Sequence, residues 1–430
     1  MSHFAIVAPA LYSHVKALEA LAACLVARGH RVTFVHQADA RSLISEPRIG
    51  FFAVGQKSHP EGRMARTLDR LANPSGAGLF AMIRDLAETT DMLCRELPAA
   101  FEALGIDGVI ADQMEPAGAL VAEGLGLPFV SVACALPVNR ETGLPLPVMP
   151  FRLAESERAQ GMYATSERIY DQMMGRHAQV VARHALAFGL SPRRGLHECL
   201  SPLAQISQTP LAFDFPRTRL PDTFHAVGPL RLPNAGARHR RLEELPLPER
   251  FVFASLGTLQ GHRFGLFKKI ARACKRQGKA LLIAHCGKLD AAQEAALTRA
   301  GATVAVDFVD QREALNRAEA VITHGGLNTV VDAIDTATPM LVVPLAFDQP
   351  GVAARVLYHG LGERAFHFSR PATLAQKLAR LDAFDYRERL TALQAPLRAA
   401  GGAERAAAIA EQALTTHRPV YTESAHEAVV

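Results

Sequence analysis

Val321-Ile-Thr-His-Gly-Gly-Leu-Asn-Thr-Val-Val-Asp-Ala-Ile334, followed by Pro339-Met-Leu-Val-Val-Pro-Leu-Ala-Phe-Asp-Gln-Pro350, is the stretch whose reading decides the fold. A β-branched run over 321–323 breaks at Gly325-Gly326, and Leu327, Val330, Val331, Ile334 and Ala337 then recur at helical spacing. Pro339 stops that helix, and the apolar residues 340–343 read as the next buried strand. The order is strand, glycine loop, helix, strand. The loop and first helical turn present unpaired backbone N–H groups beside His324, Gly326, Asn328 and Thr329, which is the chemistry of a phosphate cradle. Asp332 lies one turn beyond Asn328 on the same side, where it can accept hydrogen bonds from a ribose diol. Taken alone, the same residues read equally well as a Gly-Gly turn in an ordinary α/β domain.

The pattern repeats upstream. Strands at 251–255, 280–285, 303–308, 320–323 and 340–343 alternate with helices near 263–277, 290–300, 311–318, 327–337 and 350–359. Such βα succession calls for a parallel, doubly wound sheet. The first half reads as strands at 3–8, 31–36, 108–111, 128–133 and 224–227, with helices over 14–28, 60–104, 115–124 and 155–188. Its first loop, Ala8-Pro-Ala-Leu-Tyr-Ser-His14, contains no glycine, so the Gly-x-Gly-x-x-Gly fingerprint of a nicotinamide site is missing. Residues 137–150 form a proline-rich irregular loop, and 228–249, with four prolines, read as an interdomain linker. The tail is expected to be helical around 387–415 and frayed from Thr416 onward.

At 430 residues two domains are the default, and 49% hydrophobic with 21% charged residues is ordinary for a globular chain. A net charge of +5, with no Lys/Arg run interleaved with aromatics, excludes an evident nucleic-acid surface. The densest basic cluster, Arg238-His-Arg-Arg241, reads as solvated linker, with weak attraction to an anionic membrane as the alternative. The six cysteines lack metal spacing and read as buried thiols of a reducing compartment. No stretch approaches the ~18–20 apolar residues that span a bilayer, and no signal peptide is evident. The expected location is cytoplasmic, with peripheral contact at the inner face of the membrane left open.

Further candidates cluster where strands end. Ser255, Gly257 and Thr258 follow the first strand of the second half; Gly257 lets a diphosphate approach the backbone and Thr258 offers a hydroxyl. Phe308 can stack on a base and Gln311 can bond to ribose or base edges, while Asp348 and Gln349 can hold sugar hydroxyls. Singly each is a turn or core residue; together they form one rim at the carboxyl ends of parallel strands. In the first half, His14 opens a helix and Asp112 ends a strand. A His–Asp pair there is a general base with its orienter. The sequence has no Gly-x-Ser-x-Gly elbow, no P-loop and no Asp-x-Asp pair, which argues against an α/β-hydrolase, a P-loop NTPase and a metal-clamped nucleotide sugar.

His324-Gly-Gly-Leu-Asn-Thr-Val-Val-Asp332, with Phe308-Val-Asp-Gln311 before it and Asp348-Gln349 after it, resembles the signature of the family 1 UDP-dependent glycosyltransferases. The resemblance runs from His14 to about residue 370 and implies the GT-B architecture, two Rossmann-like doubly wound domains facing across a cleft. It implies an acceptor-binding domain at 1–228, a linker at 229–249 and a nucleotide-sugar domain at 250–385. A helical segment at 386–415, packing back on the first domain, and a tail at 416–430 complete the division. By the same resemblance His14 is the base and Asp112 its partner. Thr258, Phe308, Gln311, His324, Gly326, Asn328, Thr329 and Asp332 bind UDP, and Asp348 and Gln349 bind the sugar. Phe308 stands where the family usually has tryptophan, Asp332 where it has glutamate, and Val352 where asparagine is common.

Met1-Ser-His-Phe-Ala-Ile-Val-Ala-Pro9, Met92-Leu-Cys-Arg-Glu-Leu-Pro-Ala-Ala-Phe101, Asp112-Gln-Met-Glu-Pro-Ala-Gly118 and Ala254-Ser-Leu-Gly-Thr-Leu-Gln-Gly-His262 are similar to members of the family from carotenoid clusters. That implies metal-free, inverting transfer of glucose from UDP-glucose to a hydroxylated carotenoid such as zeaxanthin, giving mono- and di-β-glucosides. A different lipophilic acceptor, a nucleotide-sugar epimerase, and a non-catalytic nucleotide-sugar or carotenoid binding protein are the rival readings.

Overall fold

Short apolar runs with few polar atoms to satisfy become strands buried on both faces, as expected of parallel sheets covered by helices. In the computed structural model, which describes residues 1–73, 76–232 and 241–422, the first such run is β1 (His3–Val7), every residue of it buried. The chain continues through α1 (Tyr12–Ala27), β2 (Arg31–Gln37), β3 (Gly50–Val54), α2 (Arg63–Ala72), α3 (Ala77–Leu104), β4 (Gly108–Asp112), α4 (Ala117–Gly124) and β5 (Phe129–Ala133). Helices α5 (Glu157–Met173) and α6 (Gly175–Ala187) precede two short strands, β6 (Gln205–Ser207) and β7 (Phe224–Ala226). These seven strands form one parallel sheet in the order β3-β2-β1-β4-β5-β6-β7.

The second domain runs β8 (Val252–Ser255), α7 (Gly257–Gln260), α8 (Phe264–Arg276), β9 (Leu281–Ala284), α9 (Ala291–Ala300), β10 (Val304–Val306), α10 (Gln311–Arg317), β11 (Ala320–Thr323) and α11 (Leu327–Asp335). It continues with β12 (Met340–Val342), α12 (Gln349–Tyr358), β13 (Gly362–Arg364), α13 (Pro371–Ala383) and α14 (Tyr386–Ala399), after which α15 (Gly402–Thr416) returns to the core of the first domain. Its sheet is also parallel, ordered β10-β9-β8-β11-β12-β13. In each sheet the strand order reverses at one point, between β1 and β4 and between β8 and β11. The crevice at such a reversal is where open α/β sheets bind ligands.

Two apolar clusters cover the faces of the first sheet, and a larger one fills the second domain. Each fully buried side chain of the Phe4, Leu18 or Phe267 kind contributes about 1.5–3 kcal/mol. A fourth cluster joins Leu71, Met82 and Ile83 of the first domain to Leu259 and Phe347 of the second across the cleft. Polar contacts pin the same seam. Buried Arg355 on α12 binds Asp214 through Nε at 2.6 Å, and Arg217 binds the other carboxylate oxygen at 2.9 Å.

Three strands go beyond the sequence expectations: β3, β6 and β13. The expected single helix at 387–415 is two helices, because Gly401 and Gly402 both take positive φ and turn the chain. α15 packs against α1, and Leu414 lies against Gly108 of β4. The residues after it do not fray at once: the Val420 N–H donates to the Leu203 carbonyl at 2.8 Å, and His225 Nε2 is 2.9 Å from the Val420 carbonyl. Residues 423–430 of the expected tail, and all but Arg241 of the basic cluster, lie outside the described residues. Among the described residues no helix is long and apolar enough to cross a membrane.

Candidate active site

A cleft of about 2240 Å³ runs between the domains. His14, Thr258, Phe308, Gln311, His324, Gly326, Asn328, Thr329, Asp332, Asp348 and Gln349 all line it, with Asp112 directly behind His14. The register explains the first pair. Val7 of β1 is opposite Ala111 of β4, so the next residue of β4, Asp112, sits beside the loop that leads into α1. His14 Nδ1 lies 2.7 Å from Asp112 Oδ2, and Asp112 Oδ1 accepts the Met114 N–H at 2.9 Å. With Nδ1–H donated to the carboxylate, Nε2 keeps its lone pair for the cleft.

Burial pushes the His14 imidazole down, but the Asp112 charge, the hydrogen bond to it and the nearby Asp348 outweigh burial, so its pKa lies above the usual value. Cys134 lies in the same cluster, its Sγ and the His and Asp ligand atoms all within 4.8 Å of one another. Burial and then the Asp112 charge push the pKa of that thiol well up.

Across the cleft, α11 begins at Gly326 with no side-chain cap, which leaves its first N–H groups facing the cavity. The His324 imidazole is wedged between two glycines: a Cβ on Gly257 would meet the ring at 2.8 Å and one on Gly326 at 2.6 Å. Burial holds its pKa down to about 4, so it is neutral at pH 7. Gln311 bridges Asp332 and Thr329, donating from Nε2 to Asp332 Oδ2 at 2.7 Å and accepting from Thr329 Oγ1 at 3.1 Å. Phe308 is 42% exposed on the cleft wall, and a Cβ on Gly287 would meet its ring at 3.5 Å. The Gly287 loop is braced by His285, whose Nδ1 accepts the Lys288 and Leu289 N–H groups while Nε2 meets Glu294 at 2.8 Å.

Asp348 and Gln349 are placed less freely. Asp348 Oδ2 accepts the Leu136 N–H from the first domain at 3.2 Å, and burial raises its pKa. Gln349 Oε1 accepts two N–H groups of its own loop, from Leu345 and Ala346, which leaves its Nε2 for any ligand. Val352 is wholly buried in the core of the second domain.

Several lining residues escaped the sequence reading. The first-domain arm is apolar and methionine-rich, with Met82, Met114, Met149, Met173 and Met174 from four separate segments. Within it, His177 Nε2 is 3.2 Å from Thr90 Oγ1, which donates to Glu115 at 2.9 Å. Burial raises Glu115 to about 7 and lowers His177 to about 4. Arg231, just after β7, donates to Asn328 and Asp332. None of these has a local motif.

Two facing parallel-sheet domains, with a His–Asp pair on one rim and a helix N-terminus on the other, make up the GT-B architecture. The solved glycosyltransferase of kitacinnamycin has the same fold, with a TM-score of 0.74 at 20% identity over 96% of this chain and 99% of that one. The calicheamicin glycosyltransferase CalG4 aligns at a TM-score of 0.71 and 22% identity over 97% and 100%. The family model described as UDP-glucoronosyl and UDP-glucosyl transferase matches residues 4–370, and the chain belongs to that family of UDP-sugar-dependent enzymes. The chain is 54% identical to the zeaxanthin glucosyltransferase of Pantoea ananas over 99% of both chains. It is 51% identical to that of Pseudescherichia vulneris over 96% of this chain and 98% of the relative.

Proposed function

We propose that this enzyme transfers glucose from UDP-glucose to the ring hydroxyls of zeaxanthin, by direct displacement with inversion and without a metal ion. The observation that carries the reading is the buried His14–Asp112 pair lining the same cleft as the first turn of α11, with an apolar arm beside it. The two relatives named for zeaxanthin, similar along nearly their whole length, support the acceptor.

In this scheme His14 Nε2 takes the proton of the acceptor hydroxyl as its oxygen attacks the anomeric carbon. The carbon–oxygen bond to the diphosphate breaks, and UDP leaves with the electron pair toward α11. Backbone N–H groups of α11, with His324, Asn328, Thr329 and Thr258, receive the diphosphate, and fixed dipoles aimed at developing charge lower the barrier. Asp332, held by Gln311, accepts from the ribose diol, and Phe308 stacks on the uracil. Asp348 and Gln349 Nε2 meet the sugar hydroxyls. An α-linked donor gives a β-glucoside, and the hydroxyl at each end of zeaxanthin allows a second transfer. The long apolar acceptor lies along the methionine-rich arm, and the remainder stays in lipid, in peripheral contact with the membrane.

The test is incubation of purified protein with UDP-glucose and zeaxanthin in detergent with EDTA, followed by mass analysis. Mono- and diglucosides with stoichiometric UDP are expected. UDP release without a carotenoid product discards the acceptor, and turnover that requires added metal discards the charge scheme.

A further inference from the structure

The diphosphate of a nucleotide sugar carries a negative charge on each phosphate, yet the groups assigned to it above are uncharged. Its histidine, His324, is neutral at pH 7 because burial holds it at about 4. Helix N-termini and hydroxyls offset only part of that charge, because they present partial charges and not a full one. A full cation at hydrogen-bond distance contributes more, because charge-assisted bonds are roughly twice as strong as neutral ones.

The cleft is lined by a few cations, and most are committed elsewhere. Lys16 binds Glu19 and Ser45, and Arg140 is paired with Glu167 and Asp171. Lys288 is exposed on the loop next to Gly287. Arg231 differs. Its Nη1 donates to Asn328 Oδ1, and its Nη2 to the Asn328 carbonyl and Asp332 Oδ1, all at 3.2 Å. Among the described residues it is the cation bonded to the first turn of α11. Those contacts are longer than the 2.7–2.9 Å of a locked guanidinium–carboxylate pair, and the side chain is 28% exposed, so the fork has room to re-aim.

We propose that Arg231, delivered by the segment that leaves β7 for the second domain, is the cation that meets the donor's diphosphate. The inference rests on the reading of α11 as the diphosphate site. Arg231 also neutralises Asp332, whose charge would otherwise repel the phosphates beside it. Guanidinium geometry suits both roles, since one planar fork can bridge a carboxylate and a phosphate oxygen.

Calorimetric titration with UDP and with uridine tests this, because uridine keeps the base and ribose but lacks both phosphates. UDP binding to the parent enzyme checks the donor site itself; if the parent binds no UDP, the reading of α11 fails first. Given that binding, Arg231→Gln is expected to weaken UDP at least about tenfold and uridine by less than about threefold. Arg231→Lys should recover part of the UDP affinity. The KM for UDP-glucose should rise more than kcat falls. Equal weakening of UDP and uridine would mean that Arg231 only positions Asp332, and no change in either would mean that it has no donor role; both overturn the proposal.

Discussion

Replacing Asp112 with asparagine tests the proposed chemistry most sharply, because the change is nearly isosteric and its consequence follows from two hydrogen bonds. Asp112 Oδ1 accepts the Met114 N–H at 2.9 Å, and Oδ2 meets His14 Nδ1 at 2.7 Å. In Asp112→Asn the carbonyl oxygen must stay on the Met114 N–H, since the amide nitrogen cannot accept it, so the NH2 group turns toward His14. Nδ1 then has to accept, and the ring proton moves to Nε2, the atom that must be free to act as base. Losing a general base costs about 10²–10⁴-fold in rate, or about 3–5.5 kcal/mol of barrier. A wrong tautomer puts the expected loss of kcat in the upper half of that range. UDP binding, which does not involve Asp112, should be unchanged by calorimetry. The pH profile adds a second readout. The parent must deprotonate His14, whose pKa is raised, so its activity climbs with pH through a value above 6.5. Without the Asp112 charge, burial is offset only by Asp348, and the residual activity should climb at lower pH. Turnover within about tenfold of the parent, with an unmoved pH limb, would refute the dyad.

Phe308→Ala should weaken UDP binding about five- to tenfold, the loss of one stacking contact, with the first-domain chemistry intact; unchanged affinity would remove Phe308 from the donor site. Gly326→Ala would place a methyl 2.6 Å from the His324 ring. The ring must move, and UDP affinity should fall at least about tenfold while circular dichroism stays native. Asp214→Asn leaves the buried Arg355 charge without its carboxylate, and should cost about 3–5 kcal/mol of stability in urea unfolding. In the parent, burial raises the Asp214 carboxyl but Arg355 and Arg217 outweigh it, so its pKa is depressed. The pair's contribution is therefore present above the usual 3.8 and lost as pH falls through the depressed value, and acid unfolding of the parent should show that loss where the variant does not.

What the sequence made legible follows from where each kind of information is stored. In the proposed scheme the diphosphate is received mostly by backbone N–H groups at the start of one helix. Its residues, from His324 to Asp332, are therefore contiguous, and their spacing could be read before any packing was known. Of the strands that escaped reading, β6 and β13 lack the apolar run that marks the others, whereas β3 has one in Phe51-Phe-Ala-Val54. Gly362-Glu-Arg364 is a strand because it lies beside Met340 of β12, and its Glu363 is held by Lys377 and Tyr386 rather than by burial of an apolar side chain. The His14–Asp112 pair spans 98 residues of chain, and the register of β1 against β4 closes that gap. The sequence could therefore nominate His14 from its place at a helix start and Asp112 from its place at a strand end, but could not measure their separation. Arg231 lies further from legibility: one basic residue in a proline-flanked connection has no period and no motif partner, and its meaning comes from Asn328 and Asp332, about a hundred residues on. The acceptor arm carries the same difficulty in its strongest form. Its methionines come from separate loops and helices, each alone an ordinary core residue, and flexible thioethers fill an irregular apolar space without demanding a fixed partner. A site built that way constrains the volume and polarity of its ligand more than the identity of any one side chain. Acceptor range should thus shift under substitutions of the arm that leave the His14–Asp112 pair and the donor site untouched.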